Sequence, residues 1–156
     1  MYRRKLKKGV HVFTDGACRG NPGPGSWAMA VYEEHKYIGC KKGFLPETTN
    51  NIAELTAFLK VLDWTTRIKG HVHIYVDSTY VMDGYDKWLG NWVRRGWKTA
   101  SGTPVKNADL WKKIYALKQK VDLRIDIHKV KGHSGNEGNT KADALCNEVL
   151  DEELNN

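Results

Sequence analysis

The feature that most constrains this chain is a change of hydrophobic period near residue 50. Before it, the pattern is that of strands. Residues 10–14 alternate and run into Asp15-Gly16, which reads as a strand ending in a turn. Arg19-Gly20-Asn21-Pro22-Gly23-Pro24-Gly25 is dense in turn-forming residues. Residues 26–34 and 37–45 read as two further strands joined around Glu34-His35-Lys36, completing a meander. From Pro46-Glu47-Thr48-Thr49-Asn50-Asn51 onward the period becomes helical, with Ile52, Leu55, Leu59 and Leu62 on one face and Phe58 on its shoulder, ending before Gly70. Residues 71–76 alternate again, with Val72, Ile74 and Val76 on one face, and stop at Asp77-Ser78.

A short helix follows to about Gly84, then a basic, Trp-rich excursion over 87–106 broken by Gly90, Gly96 and Gly102. Residues 107–120 read as a helix burying Leu110, Trp111, Ile114 and Leu117. Val121, Leu123, Ile125 and Ile127 alternate as a fifth strand, and a glycine-rich loop over 132–138 leads into a last helix over 139–150. The order β-β-β-α-β-α-α-α-β-α, a hairpin-linked trio followed by crossover helices, implies a mixed sheet covered by helices.

The 156 residues suit one domain with a real core. No apolar run is long enough to cross a bilayer, so no membrane association is expected. The basic start lacks a following apolar stretch, so export is not expected. Cys18, Cys40 and Cys146 are widely spaced, which fits a reducing cytoplasm rather than a disulfide framework. A net charge of +7 points to a polyanionic partner. The charge is districted: the charged residues within 1–8 and 87–106 are all bases, and those from Glu148 onward are all acids. The organisation expected is a basic extension over 1–9, a domain over 10–150 and an acidic tail over 151–156.

Four acids carry the functional argument. Each alone has an ordinary account. Asp15-Gly16 is a common turn, Glu54 stands three after Asn51 as in a capping box, Asp77 can cap the helix after it, and Asp143 can be a solvated helix charge. Together they mean more. Asp15 and Asp77 each end an alternating strand, and Glu54 sits in the first turns of the helix between them. If those strands are neighbours, three carboxylates converge at one end of the sheet, and Asp143 can join from the last helix. Clustered carboxylates repel unless a cation sits among them, and hard divalent ions prefer oxygen ligands. Zinc is disfavoured because no close Cys/His ligand set stands out.

The runs Phe13-Thr14-Asp15-Gly16-Ala17-Cys18 and Gly20-Asn21-Pro22-Gly23-Pro24-Gly25 resemble the opening of type 1 ribonucleases H. So do Thr48-Thr49-Asn50-Asn51 with Glu54-Leu55, Asp77-Ser78 with Tyr80-Val81, and Arg95-Gly96-Trp97-Lys98-Thr99. Pro104-Val105-Lys106-Asn107 with Asp109-Leu110-Trp111, and Val130-Lys131-Gly132-His133 followed by Asp143, extend the resemblance to nearly the whole chain. It implies an α/β, ribonuclease H-like fold: a five-stranded mixed sheet, with a three-stranded antiparallel meander plus two parallel strands, flanked by helices. It implies an endoribonuclease that hydrolyses the RNA strand of RNA–DNA hybrids and leaves 5′-phosphate and 3′-hydroxyl ends. Asp15, Glu54, Asp77 and Asp143 would hold two magnesium ions, with manganese as a substitute, and the nucleophile would be a metal-activated water. His133 matches the family's mobile catalytic histidine. Without that match it is an ordinary loop histidine.

The partner implied is an RNA–DNA hybrid. Recognising it requires sensing a 2′-hydroxyl on one strand only. Asn21, Asn50 and Asn51 suit minor-groove edges and sugars, and Thr49 suits a DNA phosphate. The same cluster also suits turns and helix capping, and Asn51 can do both. In the excursion over 87–106, Trp88, Trp92, Arg94, Arg95 and Lys98 suit the DNA strand, whereas Trp97 is expected to pack. Such a protrusion suggests a domain that works alone, as a monomer. Thr79 and Thr140 stand where many relatives carry Gln and an acid. A non-catalytic hybrid or duplex binder gains nothing from clustered negative charge. A resolvase- or transposase-type nuclease does not account for the Thr49 to Asn51 cluster and the Trp-rich protrusion.

Overall fold

The computed structural model describes residues 9–130 and 137–155. The basic run from Arg3 to Lys8 and the loop carrying His133 lie outside the described residues. The elements are β1 (Val10–Cys18), β2 (Gly23–Glu33), β3 (Lys36–Thr48), α1 (Asn50–Thr65), β4 (Val72–Val76), α2 (Thr79–Asp83), a π-helical turn (Gly84–Trp88), α3 (Leu89–Arg94), α4 (Ala108–Val121), a 3₁₀ turn (Asp122–Arg124), β5 (Ile125–Lys129) and α5 (Glu137–Leu154). They form one five-stranded sheet in the order β3-β2-β1-β4-β5. β1 pairs antiparallel with β2 and β2 with β3, while β1–β4 and β4–β5 are parallel. This is the mixed sheet and the element order expected from the hydrophobic periods.

Alternation along the strands divides the core in two. One face of the sheet sends Val12, Met29, Val31 and Ile74 against Leu55, Phe58 and Leu62 of α1 and Trp111 and Ile114 of α4. The other sends Phe13, Ala28, Ala30 and Tyr32 against Ala142, Leu145 and Cys146 of α5. Ala28 and Ala30 have no exposed surface, so small side chains let α5 lie close on β2. Phe58, expected on the shoulder of α1, is fully buried at its centre. Truncating a ring in such a position typically costs about 3–5 kcal/mol.

Local signals misled in four places. β1 does not end at Asp15-Gly16 but runs on to Cys18, pairing Asp15 with Ala28 and Gly16 with Trp27. The fifth strand starts at Ile125, not Val121. Val121 closes α4, and Leu123 is 96% exposed in the 3₁₀ turn. That turn is tied down by polar bonds invisible to a hydrophobic pattern: Tyr85 donates to Asp122 at 2.8 Å, and Arg124 donates to the carbonyls of Thr65, Ile68 and Gly70. Gly90 does not break the excursion but lies inside α3. Finally, the acids after Glu148 continue α5 to Leu154, where Asp151 pairs with Arg19 at 2.7 Å and Glu148 pairs with Lys42. Among the described residues no helix is long and apolar enough to cross a membrane.

Candidate active site

Gly16 determines where the first two acids meet. A Cβ on Gly16 would fall 2.4 Å from the backbone of Ala53 and Glu54, so only glycine lets the start of α1 lie directly on β1. The Gly16 amide then donates to Glu54 Oε1. This bond answers the capping-box reading of Glu54. The N-cap of α1 is Thr49, whose Oγ1 accepts from the Ile52 amide at 3.2 Å, and Glu54 is left to face Asp15. Asp77 is likewise released from capping, because Ser78 Oγ accepts from the Val81 amide at 3.1 Å. Asp77 follows the last residue of β4, next to β1 in the sheet.

The electrostatics show that the four carboxylates share one neighbourhood. Burial first, then the charge of Asp143, push the Asp15 carboxyl up to about 7, against a partial offset from the Gly16 amide. Burial and then the charge of Asp15 raise Glu54 well above the usual carboxylate range, with Asp77 adding to the effect. Asp143 reaches the group from α5. On the same helix, Cys146 lies beneath Asp15, its Sγ 3.4 Å from the Asp15 carbonyl oxygen, and burial pushes its thiol up. Lys129 Nζ stands 4.0 Å from Asp77 Oδ1 at one edge of the cluster. Neither Cys146 nor Lys129 was singled out by the sequence. The first had a signal, since a residue three after Asp143 shares its helix face. The second depends on β5 pairing beside β4, which no local pattern states.

A second group of expected residues also assembles. Asn21, Thr49, Asn50 and Asn51 line one cleft with Ile52, Lys106 and Asn107. Asn21 Oδ1 accepts from the Asn50 amide at 2.9 Å, tying the loop after β1 to the start of α1. Asn107 adopts a left-handed conformation (φ 58°) at the head of α4, and its amide donates to the Tyr80 hydroxyl, which also accepts from Trp111 Nε1. Lys106 and Asn107 therefore join a cleft to which sequence reasoning assigned only the four residues before them.

The protrusion is built on an aromatic ladder. Gly84 lets its base close on the core, since a Cβ there would fall 2.2 Å from the Trp111 ring. Trp92 packs edge-on against Trp111 with centroids 5.3 Å apart, and Trp88 lies 5.9 Å from Trp92. Trp97 packs on Tyr115, with Lys112 over its ring, as expected of a packing residue. Trp92 is thus half-buried rather than fully presented, whereas Trp88, Arg94, Arg95 and Lys98 are exposed.

A ribonuclease H family model matches residues 7–151. The chain is 51% identical over 148 residues to the Ribonuclease H of Alcanivorax borkumensis, covering 93% of each. It is 49% identical over 144 residues to that of Chromohalobacter salexigens, covering 92% of this chain and 85% of the other. Its fold superposes with a TM-score of 0.73 on an RNase H1 crystallised in complex with an RNA/DNA hybrid, at 22% identity and covering 94% and 99% of the two chains. With that fold, these identities and a family match over nearly its whole length, the chain belongs to the ribonuclease H family.

Proposed function

We propose that this protein is an endoribonuclease that hydrolyses the RNA strand of RNA–DNA hybrids, leaving 5′-phosphate and 3′-hydroxyl ends. The observation that carries the reading is the meeting of four carboxylates, with the Asn- and Thr-lined cleft at the start of the helix that carries Glu54. Ribonucleases H are metal-dependent. In this chain, Asp15, Glu54, Asp77 and Asp143 offer a set of hard oxygen donors that fits divalent magnesium, with manganese as a substitute. The raised Asp15 and Glu54 carboxyls support this assignment, because they mark a site with more negative charge than its own residues offset. Two ions bound there would activate a water and stabilise charge on the scissile phosphate.

The chain's own residues supply position and discrimination. Gly16 holds Glu54 toward Asp15 through its amide. The Asn21 carbonyl oxygen is engaged by Asn50, which leaves its NH₂ to donate to a sugar or base edge in the minor groove. Thr49 uses an oxygen lone pair for the helix cap and retains its hydroxyl proton for a DNA phosphate, so capping and substrate binding are compatible in one side chain. Arg94, Arg95 and Lys98 offer phosphate contacts, with Trp88 and Trp92 beside them for sugar faces. His133 is assigned to proton handling and product departure on the strength of its sequence match alone. The protein acts as a monomer in the cytoplasm, where its three free thiols are suited to a reducing environment.

The deciding assay measures cleavage of a labelled hybrid in magnesium, with duplex DNA and single-stranded RNA as controls and EDTA as a block. Cleavage confined to the RNA of the hybrid and stopped by chelation is expected. Equal cutting of single-stranded RNA, or activity that survives excess EDTA, would refute the proposal.

A further inference from the structure

A second set of ligand-type side chains lies on the α5-side face of the sheet, away from the acids. Successive side chains on a strand alternate faces, so His71, His73, Tyr75 and Asp77 project to one side. His73 pairs across the parallel ladder with Asp126, and Tyr75 with His128. His73 and Asp77 are four residues apart, or about 13 Å along the strand at 3.3 Å per residue. The histidines therefore occupy the start of β4 and the acids its end.

The geometry is that of convergent donors. His71 Nε2 is 2.9 Å from Asp126 Oδ2, and His73 Nδ1 is 3.8 Å from the same oxygen. One donor atom from each of the three residues lies within 4.8 Å of the others. Donors around a tetrahedral ion with bonds of 2.0–2.1 Å stand roughly 3.3 Å apart, and the observed pair distances bracket that value. His128 Nε2 is 3.0 Å from His73 Nδ1 and so stands next to a fourth position. His73 is the buried member, 2% exposed and stacked on the His11 ring at 4.8 Å, so its orientation is fixed by packing. His71 and Asp126 are exposed, which gives an ion an entry path.

We propose that His71, His73 and Asp126 form a transition-metal site for zinc, distinct from the acid cluster and bridging β4 to β5, with water or His128 in the fourth position. Two imidazoles and one carboxylate suit zinc and disfavour magnesium, which prefers an all-oxygen set. Sequence spacing disfavours zinc because no close Cys/His ligand set stands out, and the set proposed here is completed only by Asp126, from another strand. Asp126 lies 55 residues from His71 in sequence and meets the two histidines only through the β4–β5 register. An ion here joins two strands whose connection spans the whole protrusion, so binding stabilises the native state.

The test titrates metal-free protein with zinc in saturating magnesium, which occupies the hard oxygen donors, and follows heat release and the thermal midpoint. Cobalt serves as a second probe, since a tetrahedral site with imidazole ligands gives an intense visible d–d band. One equivalent is expected to bind and raise the midpoint. His71→Ala and Asp126→Asn, both at exposed positions, are each expected to weaken binding roughly tenfold or more, with at most a small loss in urea unfolding in EDTA from the altered His71–Asp126 contact and unchanged magnesium-supported hybrid cleavage. His35→Ala, in the β2–β3 turn, is the control with no expected effect. Zinc binding that is unaffected by both variants but lost in Asp15→Asn would place the ion among the acids and overturn the proposal. So would the lack of any zinc binding in magnesium. Either result would leave the assignment of the acids to hybrid cleavage standing.

Discussion

Replacing Asp15 by Asn is expected to abolish cleavage and at the same time stabilise the metal-free protein. The amide keeps the shape of the carboxylate and removes its charge. In the folded protein, burial and Asp143 raise the Asp15 carboxyl from 3.8 to about 7. Between these two values the native state holds a proton that the unfolded chain has released, so native stability falls as pH rises. The penalty is absent below about pH 4 and complete above about pH 7. The difference between 3.8 and about 7, at 1.36 kcal/mol for each tenfold change in proton affinity, sets a ceiling of about 4 kcal/mol. The four acids share protons, so only part of this ceiling belongs to Asp15, and a gain of about 1–2 kcal/mol for the variant is expected at pH 8. The assay is urea unfolding of both proteins in EDTA at pH 5 and pH 8, paired with hybrid cleavage in magnesium. The variant's advantage should be larger at pH 8 than at pH 5. A variant that is inactive and also less stable at pH 8 would refute the reasoning and make Asp15 a structural residue. An advantage equal at both pH values would refute the electrostatic account.

Three further outcomes are expected. His133→Ala should slow turnover yet leave measurable cleavage in steady-state assays, because charge stabilisation at the acids carries most of the rate; a loss as complete as that of Asp15→Asn would make the histidine indispensable. Neutralising Arg94, Arg95 and Lys98 together should weaken hybrid binding and lower the slope of log affinity against log salt by about 0.9 for each phosphate they no longer neutralise; an unchanged slope would separate the protrusion from the backbone. Thr49→Ala should cost about 1 kcal/mol in urea unfolding through loss of the α1 cap and should also weaken hybrid binding, whereas a stability loss with unaltered hybrid affinity would limit Thr49 to capping.

What was legible in the sequence is what periodicity and turn chemistry encode. The order of elements, the meander and the two crossovers all follow from where the apolar period is two and where it is 3.6. The boundaries that failed are those decided by tertiary polar contacts. Val121 and Leu123 continue the alternation of Ile125 and Ile127, yet Arg124 binds the carbonyls of Thr65 at the end of α1 and of Ile68 and Gly70 in the α1–β4 connection, and turns that stretch into a 3₁₀ corner. Asp15-Gly16 has the composition of a turn, but the glycine serves the close approach of α1, so the strand runs on through it.

The site shows the same division more sharply. That Asp15, in β1, and Asp77, just past the end of β4, come together depends on β1 pairing with β4, a contact between residues more than 60 apart in sequence. The pattern stated this only as a condition. Each acid also carried an ordinary local explanation, and the structure removes two of these by giving the role to a neighbour: Thr49 caps α1 in place of Asn51, and Ser78 caps α2 in place of Asp77. With its capping partner gone, Glu54 accepts its hydrogen bond from Gly16, on the strand that carries Asp15. A glycine without a side chain, on β1, therefore decides the direction of a carboxylate on α1. Gly16→Ala would disturb the site by displacing the helix start, even though it removes no functional group.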